Sequence, residues 1–270
     1  MLLAQLSDPH ITAPGTQLYN RVDTGRHLRE AVAALLALDT CPDVVVLTGD
    51  LVDRGSASEY SHLRDLLRPI TDAGIPLYAI PGNHDHREAM QAAFADQPWM
   101  PRAPDFIQYV VEDFPVRLIL LDTWVAKKPY GELCDARLAW LERALAAGQG
   151  KPTIVMLHHP PFRTFIEGMD AMGLKAPERL AAIVQRHPEI ERVLCGHLHR
   201  PIQTRFAGTL AQTAPSTAHQ LTLSLAPGAE ERYIIEPPGF LLHRWSAATG
   251  VVTHTVTVGS YSGPYPFGDA

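Results

Sequence analysis

The sequence predicts an α/β fold, and three observations carry that prediction. Short, continuous apolar runs recur through the first two-thirds of the chain. The segments between them space their apolar residues at a helical period, and beyond Thr209 that period gives way to β-rich runs separated by Pro- and Gly-rich turns. Strand-length runs alternating with helical ones belong to sheets whose faces are covered by helices.

The apolar runs at residues 2–6, 44–47, 77–80, 118–121, 154–157 and 192–194 are predicted as buried strands, being short, uninterrupted and rich in Val, Ile and Leu. Over 25–38, Leu28, Val32, Leu35 and Leu36 fall on one helical stripe, and Tyr60, Leu63 and Leu67 do the same over 59–68. Residues 136–147 and 177–186 are the next helices, the second opening on Pro177, which suits a first turn. Residues 209–213, 240–245 and 251–258 read as strands, the last alternating Val, Thr and His as a half-exposed strand does. No repeat or linker forces a boundary, so one domain is expected over 1–258. The tail, 259–270, carries two Tyr, one Phe and two Pro and is either loosely ordered or docked against something.

At 270 residues the chain is long enough to bury roughly three-quarters of its unfolded surface. Its 46% hydrophobic and 19% charged residues are ordinary globular composition. A net charge of −6 argues against a broad nucleic-acid or acidic-membrane surface, although bound cations can still draw a small anion. Cys41, Cys134 and Cys195 are too widely spaced for a disulfide framework or a zinc ribbon. The opening MLLAQLSDPH lacks the basic start of a signal peptide, and no run approaches the ~20 apolar residues that span a bilayer, so the cytoplasm is the expected compartment.

Five polar segments follow the apolar runs: Asp8-Pro9-His10, Gly49-Asp50-Leu51-Val52-Asp53, Gly82-Asn83-His84-Asp85, His158-His159-Pro160 and Gly196-His197-Leu198-His199. Each lies just past the C-terminal end of a predicted strand, where open α/β sheets build their crevices. Seven of the thirteen histidines (His10, His84, His86, His158, His159, His197 and His199) sit in or beside them. Asp8 and His10, two apart on extended backbone, would point to one side, as would His197 and His199. Any one segment alone has a bland reading: Asp50 a helix cap, Asn83 and Asp85 turn residues, the histidine pairs surface decoration. Together they place carboxylate, amide and imidazole donors at five strand ends. That set, free of thiolate, suits Mn²⁺, Fe, Co²⁺ or Zn²⁺, and seven ligands suit two ions sharing a carboxylate better than one.

These motifs, in this order from residue 8 to residue 199, resemble the calcineurin-like metallophosphoesterases. Chain length, the His158–Pro161 segment and the Thr217-Ala218-His219-Gln220 stretch are most similar to the subgroup of bacterial class III cyclic-nucleotide phosphodiesterases and glycerophosphodiesterases. The resemblance implies a four-layer α-β-β-α sandwich with a mostly β C-terminal part. It implies one metal held by Asp8, His10, Asp50 and His199 and another held by Asp50, Asn83, His158 and His197. It implies in-line attack on a small phosphodiester by a hydroxide held between the ions, with His84 facing the leaving group, Asp85 orienting it, and Asn83, His84 and His219 touching substrate. The sequence itself does not separate His158 from His159, and for His219 a solvent-facing loop histidine competes. His86 has no part in the pattern. Some members of the subgroup assemble through C-terminal elements, which extends the expectation of a homo-oligomer contact to the aromatic tail. The competing readings are a phosphomonoesterase, a DNA exonuclease (disfavoured by the acidic charge) and a non-catalytic scaffold (disfavoured by the filled ligand positions). Pocket loops at 14–21, 162–175 and 216–223 are the expected seat of substrate choice.

Overall fold

A computed structural model of the protein describes residues 1–102 and 106–268, so the last two residues of the 259–270 tail lie outside the described residues. In chain order the elements are β1 (Leu2–Leu6), α1 (Thr24–Leu36), β2 (Val44–Thr48), α2 (Ala57–Asp72), β3 (Leu77–Ile80), α3 (Arg87–Ala93), β4 (Tyr109–Val111) and β5 (Arg117–Leu120). There follow α4 (Asp135–Ala147), β6 (Thr153–Met156), α5 (Glu167–Ala171), α6 (Pro177–Arg186), β7 (Ile190–Cys195), β8 (Gln203–Phe206), β9 (Thr209–Thr213), β10 (Gln220–Leu221), β11 (Tyr233–Ile234), β12 (Gly239–Ser246) and β13 (Gly250–Thr257).

Two sheets face each other. One runs β13-β12-β1-β2-β3, the other β4-β5-β6-β7-β9-β8, and β10-β11 form a small ribbon. β1, β2 and β3 are parallel, as are β5, β6, β7 and β9, which explains their continuous apolar runs: parallel strands are covered on both faces. In the second sheet the side chains alternate between two cores. Leu118, Leu120, Ile154, Met156 and Leu194 join the core shared with the first sheet and with α1 and α2. Ile119, Leu121, Val155, Leu157 and Val193 join Leu138, Leu141 and Leu145 of α4 and Leu180, Ile183 and Val184 of α6. Helix, sheet, sheet and helix therefore stack in four layers, as the resemblance implied.

Where element bounds differ from expectation, local chemistry explains it. α2 starts at Ala57 because Ser56 caps it and the Glu59 carboxylate returns to the Ser56 N–H, and it runs through Pro69 to Asp72. A proline near a helix end removes a single backbone bond, which the last turn tolerates. α3, β4, β8, α5, β10 and β11 had no signal in the sequence: they are short, and in β8 only Phe206 is buried. Among the described residues no helix is long and apolar enough to cross a membrane.

A buried ion cluster ties β5 to the segment that follows β3. Asp122 is fully buried; it accepts two hydrogen bonds from Arg87 (2.8 and 3.1 Å) and the N–H groups of Ile107 and Trp124 (both 2.9 Å), with Arg137 at 3.7 Å. Arg87 also lies over the Trp124 ring, 4.6 Å from its centroid. Removing one partner of such a cluster strands the other charges away from water. Asp122→Ala should therefore lower unfolding free energy by about 3–5 kcal/mol in urea denaturation, whereas loss of a solvated surface carboxylate would be near neutral.

Candidate metal centre

The parallel strands bring their C-terminal ends to one rim, and every predicted ligand stands there. Asp8 and His10 follow β1, Asp50 follows β2, Asn83 to Asp85 follow β3, His158 follows β6, and His197 and His199 follow β7. Asp8, His10, Asp50, His197 and His199 all have left-handed backbone (φ 51°, 45°, 46°, 72° and 48°), five of the twelve described non-glycine residues that do. The expectation that Asp8 and His10 share an extended segment is therefore corrected: the chain curls at each residue instead. Strained backbone of this kind persists where the surroundings over-determine it.

Three glycines let these turns close: a Cβ on Gly49 would lie 2.3 Å from His158 Nδ1. A Cβ on Gly82 would lie 2.3 Å from both the Asp50 nitrogen and its Oδ1, and one on Gly196 would lie 2.3 Å from Ser7 Oγ and 2.9 Å from Asp8 Oδ2. Any other residue would push a predicted ligand away.

The side chains converge as lone-pair donors. His10 Nε2 is 3.0 Å from His199 Nε2 and 3.5 Å from Asp50 Oδ2, and His199 Nε2 is 3.5 Å from Asp8 Oδ1. On the other side His158 Nε2 is 3.4 Å from the same Asp50 Oδ2 and 3.1 Å from Asn83 Oδ1, with the His197 ring 5.1 Å from that of His158. Backbone carbonyls fix the tautomers. His199 Nδ1 donates to the His219 carbonyl (2.9 Å) and His158 Nδ1 to the Thr48 carbonyl (2.8 Å), which leaves each Nε2 free for the cavity. His197 Nε2 is buried with no hydrogen-bond partner. Acceptors facing acceptors in a buried site call for positive charge, and the donor set fits a pair of cations. Asp8, His10 and His199 form one close group and Asp8, Asp50 and His158 another, their candidate ligand atoms within 4.8 Å of one another.

Protonation follows the same logic. Burial pushes His10 well below the usual histidine range and takes His197 down to about 3, in each case helped by neighbouring histidines. Burial raises Asp8. Burial would also raise Asp50, but His158 and His84 beside it hold its carboxyl well below the usual range. His158, where burial is outweighed by Asp50, rises to about 9, so an ion held there would have to displace a proton.

His158 and His159 separate by geometry. His159 Nδ1 meets Thr123 Oγ1 at 2.8 Å, and its Nε2 is buried without a partner; with His158 and His197 it forms a further close group of candidate ligand atoms, whereas His158 alone of the pair lies beside Asp50 Oδ2. His84 lies edge-on to His10 (4.6 Å between centroids); its N–H donates to Asp50 Oδ1 and its Nδ1 to the Asp53 carbonyl (2.9 Å). The expected role of Asp85 changes accordingly. Its carboxylate accepts from Tyr60 Oη, Gly82 N and Leu51 N, so it shapes the turn that carries His84, and the Asp53 carbonyl holds the imidazole itself. Burial raises Asp85 to about 7. His86 opens α3, half-exposed beside Glu88.

A cavity of about 320 Å³ opens onto the centre, lined among others by Tyr19, His84, Met169, Met172, His219 and Tyr233. All three loops expected to choose substrate contribute to it. His219 is buried, 4.6 Å from the His199 ring, and burial lowers it to about 3; it is not a solvent-facing histidine. Tyr19 and Tyr233 stack at 4.8 Å, with Tyr19 on left-handed backbone (φ 53°). Sequence reasoning missed Tyr233, whose two-residue strand carries no pattern.

The family described as "Calcineurin-like phosphoesterase" matches residues 1–201. The protein named "Probable glycerophosphodiester phosphodiesterase GpdQ" of Arcobacter nitrofigilis is 36% identical over 99% of this chain and 97% of its own length. The 3′,5′-cyclic adenosine monophosphate phosphodiesterase CpdA of Escherichia coli is 30% identical over 81% of this chain and 76% of its own. Among solved structures, a dimetal phosphatase from Danio rerio superposes with a TM-score of 0.64 at 14% identity, covering 96% of this chain and 99% of that one, a likeness of fold.

Gly82→Ala tests the close packing of the centre. The variant should fold yet bind metal at least about tenfold more weakly, since displaced supporting groups have effects of that size; metal analysis after gel filtration reads this out.

Proposed function

This chain belongs to the calcineurin-like phosphoesterase family, and on that footing we propose that it is a dinuclear metal-dependent phosphodiesterase of small phosphodiesters, cyclic nucleotides or glycerophosphodiesters. The observation that carries the reading is Asp50 Oδ2, set 3.5 Å from His10 Nε2 and 3.4 Å from His158 Nε2, between two groups of donors. In this reading Asp8, His10, Asp50 and His199 hold one ion, and Asp50, Asn83, His158 and His197 the other. Mn, Fe, Zn and Co all suit such oxygen and imidazole sets. A pair of such ions supplies, when bound, the charge that activates water and neutralises phosphoryl oxygens.

The chain's own part is positioning and proton supply. His84 stands at the cavity with Nδ1 tied to the Asp53 carbonyl, so Nε2 is the nitrogen left for substrate. Burial lowers its hold on a proton, but Asp50 and the Asp53 carbonyl outweigh that and raise it above the ordinary histidine value. The ring therefore suits donation to a departing alkoxide. Asn83 and His219 flank the same space. Of the arginines beside the motifs, Arg54 is exposed, Arg87 serves Asp122, and Arg200 serves Glu236 and the Leu221 carbonyl. Arg232, at the cavity wall, pairs with Glu230. Each of these guanidiniums already has a carboxylate partner, which favours diesters. The proposal extends to a single domain through residue 258, a cytoplasmic location, and a homo-oligomer contact through the tail, where Tyr261, Tyr265 and Phe267 are exposed.

A substrate panel tests the activity: 3′,5′-cyclic AMP, 2′,3′-cyclic AMP, glycerophosphoethanolamine, an aryl diester and an aryl monoester. Diester rates should exceed the monoester rate; the reverse order contradicts the reading. His84→Ala should lower turnover about 10²–10⁴-fold on substrates with poor leaving groups, with metal content unchanged. Asp50→Ala should lose both ions in metal analysis, and full occupancy there would remove Asp50 from its shared position.

A further inference from the structure

Loops usually run over the surface, because buried backbone must find partners for its polar groups. The segment after β9 departs from that habit. Residues 214–219 have no regular structure, yet Ala214, Ser216, Thr217 and Ala218 are fully buried and His219 nearly so. Side chains and a neighbouring loop satisfy this backbone instead. Gln220, which begins β10 and is itself buried, reaches back four residues. Its Oε1 accepts from the Ser216 N–H at 3.2 Å, and its Nε2 donates to the Ser216 carbonyl at 2.9 Å. An amide offers an acceptor and a donor side by side; a carboxylate here would set oxygen against the Ser216 carbonyl. The Ser216 hydroxyl gives its one hydrogen to the Asp8 carbonyl at 2.8 Å and accepts from the Ala218 N–H at 2.9 Å. The Thr217 N–H donates to the Ser7 carbonyl at 3.2 Å, and the His219 carbonyl accepts from His199 Nδ1 at 2.9 Å.

We propose that Gln220 is a positioning residue for the metal centre: by clasping both backbone groups of Ser216 it closes the 216–219 turn, and that turn holds two predicted ligands, Asp8 through its backbone and His199 through its ring. Gln220 lines the cavity, but both ends of its amide are taken by Ser216, so it acts on the centre through the turn. Asp8 has left-handed backbone (φ 51°), a conformation that needs outside support, and Ser216 Oγ gives that support at the Asp8 carbonyl. His199 keeps Nε2 towards Asp8 and His10 only while its Nδ1 hydrogen is held, and the His219 carbonyl holds it. Both residues belong to one proposed ligand set, Asp8, His10, Asp50 and His199. Among the described residues the turn makes no hydrogen bond to Asn83, His158 or His197 of the other set. Loss of Gln220 should therefore act on the two ions unequally. Groups behind the ligands commonly change metal affinity about 10–100-fold.

This inference rests on Asp8 and His199 being ligands of one ion, and the test keeps the two claims apart. The full-length chain, stripped of metal, is titrated with Co²⁺ while its visible absorption and its melting temperature are followed. Gln220→Met, similar in length but without the amide, and Ser216→Ala should each weaken one of the two Co²⁺-binding steps roughly 10–100-fold and leave the other within about twofold. His219→Ala removes the ring and keeps the carbonyl, so both steps should stay as in the unaltered chain. Leu35→Ala, a core change in α1, should lower the melting temperature and leave both steps unchanged. The positioning role is overturned if Gln220→Met and Ser216→Ala keep both steps within about twofold, or weaken both equally. A loss in His219→Ala as large as theirs overturns it too, because the ring and not the carbonyl would then be responsible. If His199→Ala binds two Co²⁺ as the unaltered chain does, the ligand assignment fails instead.

Discussion

Lone pairs with nowhere to go are the constraint on which this structure turns. His10, His158, His197 and His199 aim ring nitrogens, and Asp8, Asp50 and Asn83 aim oxygens, into a space with too few hydrogens to satisfy them. Buried away from water, such an arrangement is unfavourable until cations neutralise it. Around it the fold spends its irregularities: five left-handed residues, three glycines (Gly49, Gly82 and Gly196) with no room for a Cβ, and backbone carbonyls that set the tautomers of His158 and His199.

The architecture makes this convergence possible. Parallel strands in both sheets end at one rim, so segments up to 191 residues apart (8 to 199) can meet with no strand among the described residues longer than eight residues. Helices α1, α2, α4 and α6 cover the outer faces, while α5 and the loops line the cavity beside the rim. On the proposed reading, chemistry and selectivity are carried by different parts of the chain. The predicted ligands belong to the strand ends, while Tyr19, Met169, Met172 and Tyr233, which line the cavity, belong to connections and to short elements.

Much of this was legible in the sequence, and for a physical reason. Buried parallel strands and amphipathic helices write long, regular apolar patterns, and ligands at strand ends interrupt them at visible places. All seven predicted ligands stand at the one rim. The elements that went unread, such as β8 and β11, are short or exposed and leave no periodicity. Asp85 was placed correctly beside His84, but its partners Tyr60 and Leu51 lie on other segments, and only the folded chain shows that it supports the turn. The curl at Asp8 and His10 was hidden because spacing alone cannot tell an extended pair from two left-handed residues.

The claim at the centre is that one carboxylate holds two ions together. Anomalous scattering from crystals of the Mn²⁺-loaded protein, recorded on both sides of the manganese edge, tests it most directly. The account predicts two peaks roughly 3.5–4 Å apart, with the Asp50 carboxylate between them. A single peak, or two peaks of which Asp50 touches only one, would contradict it.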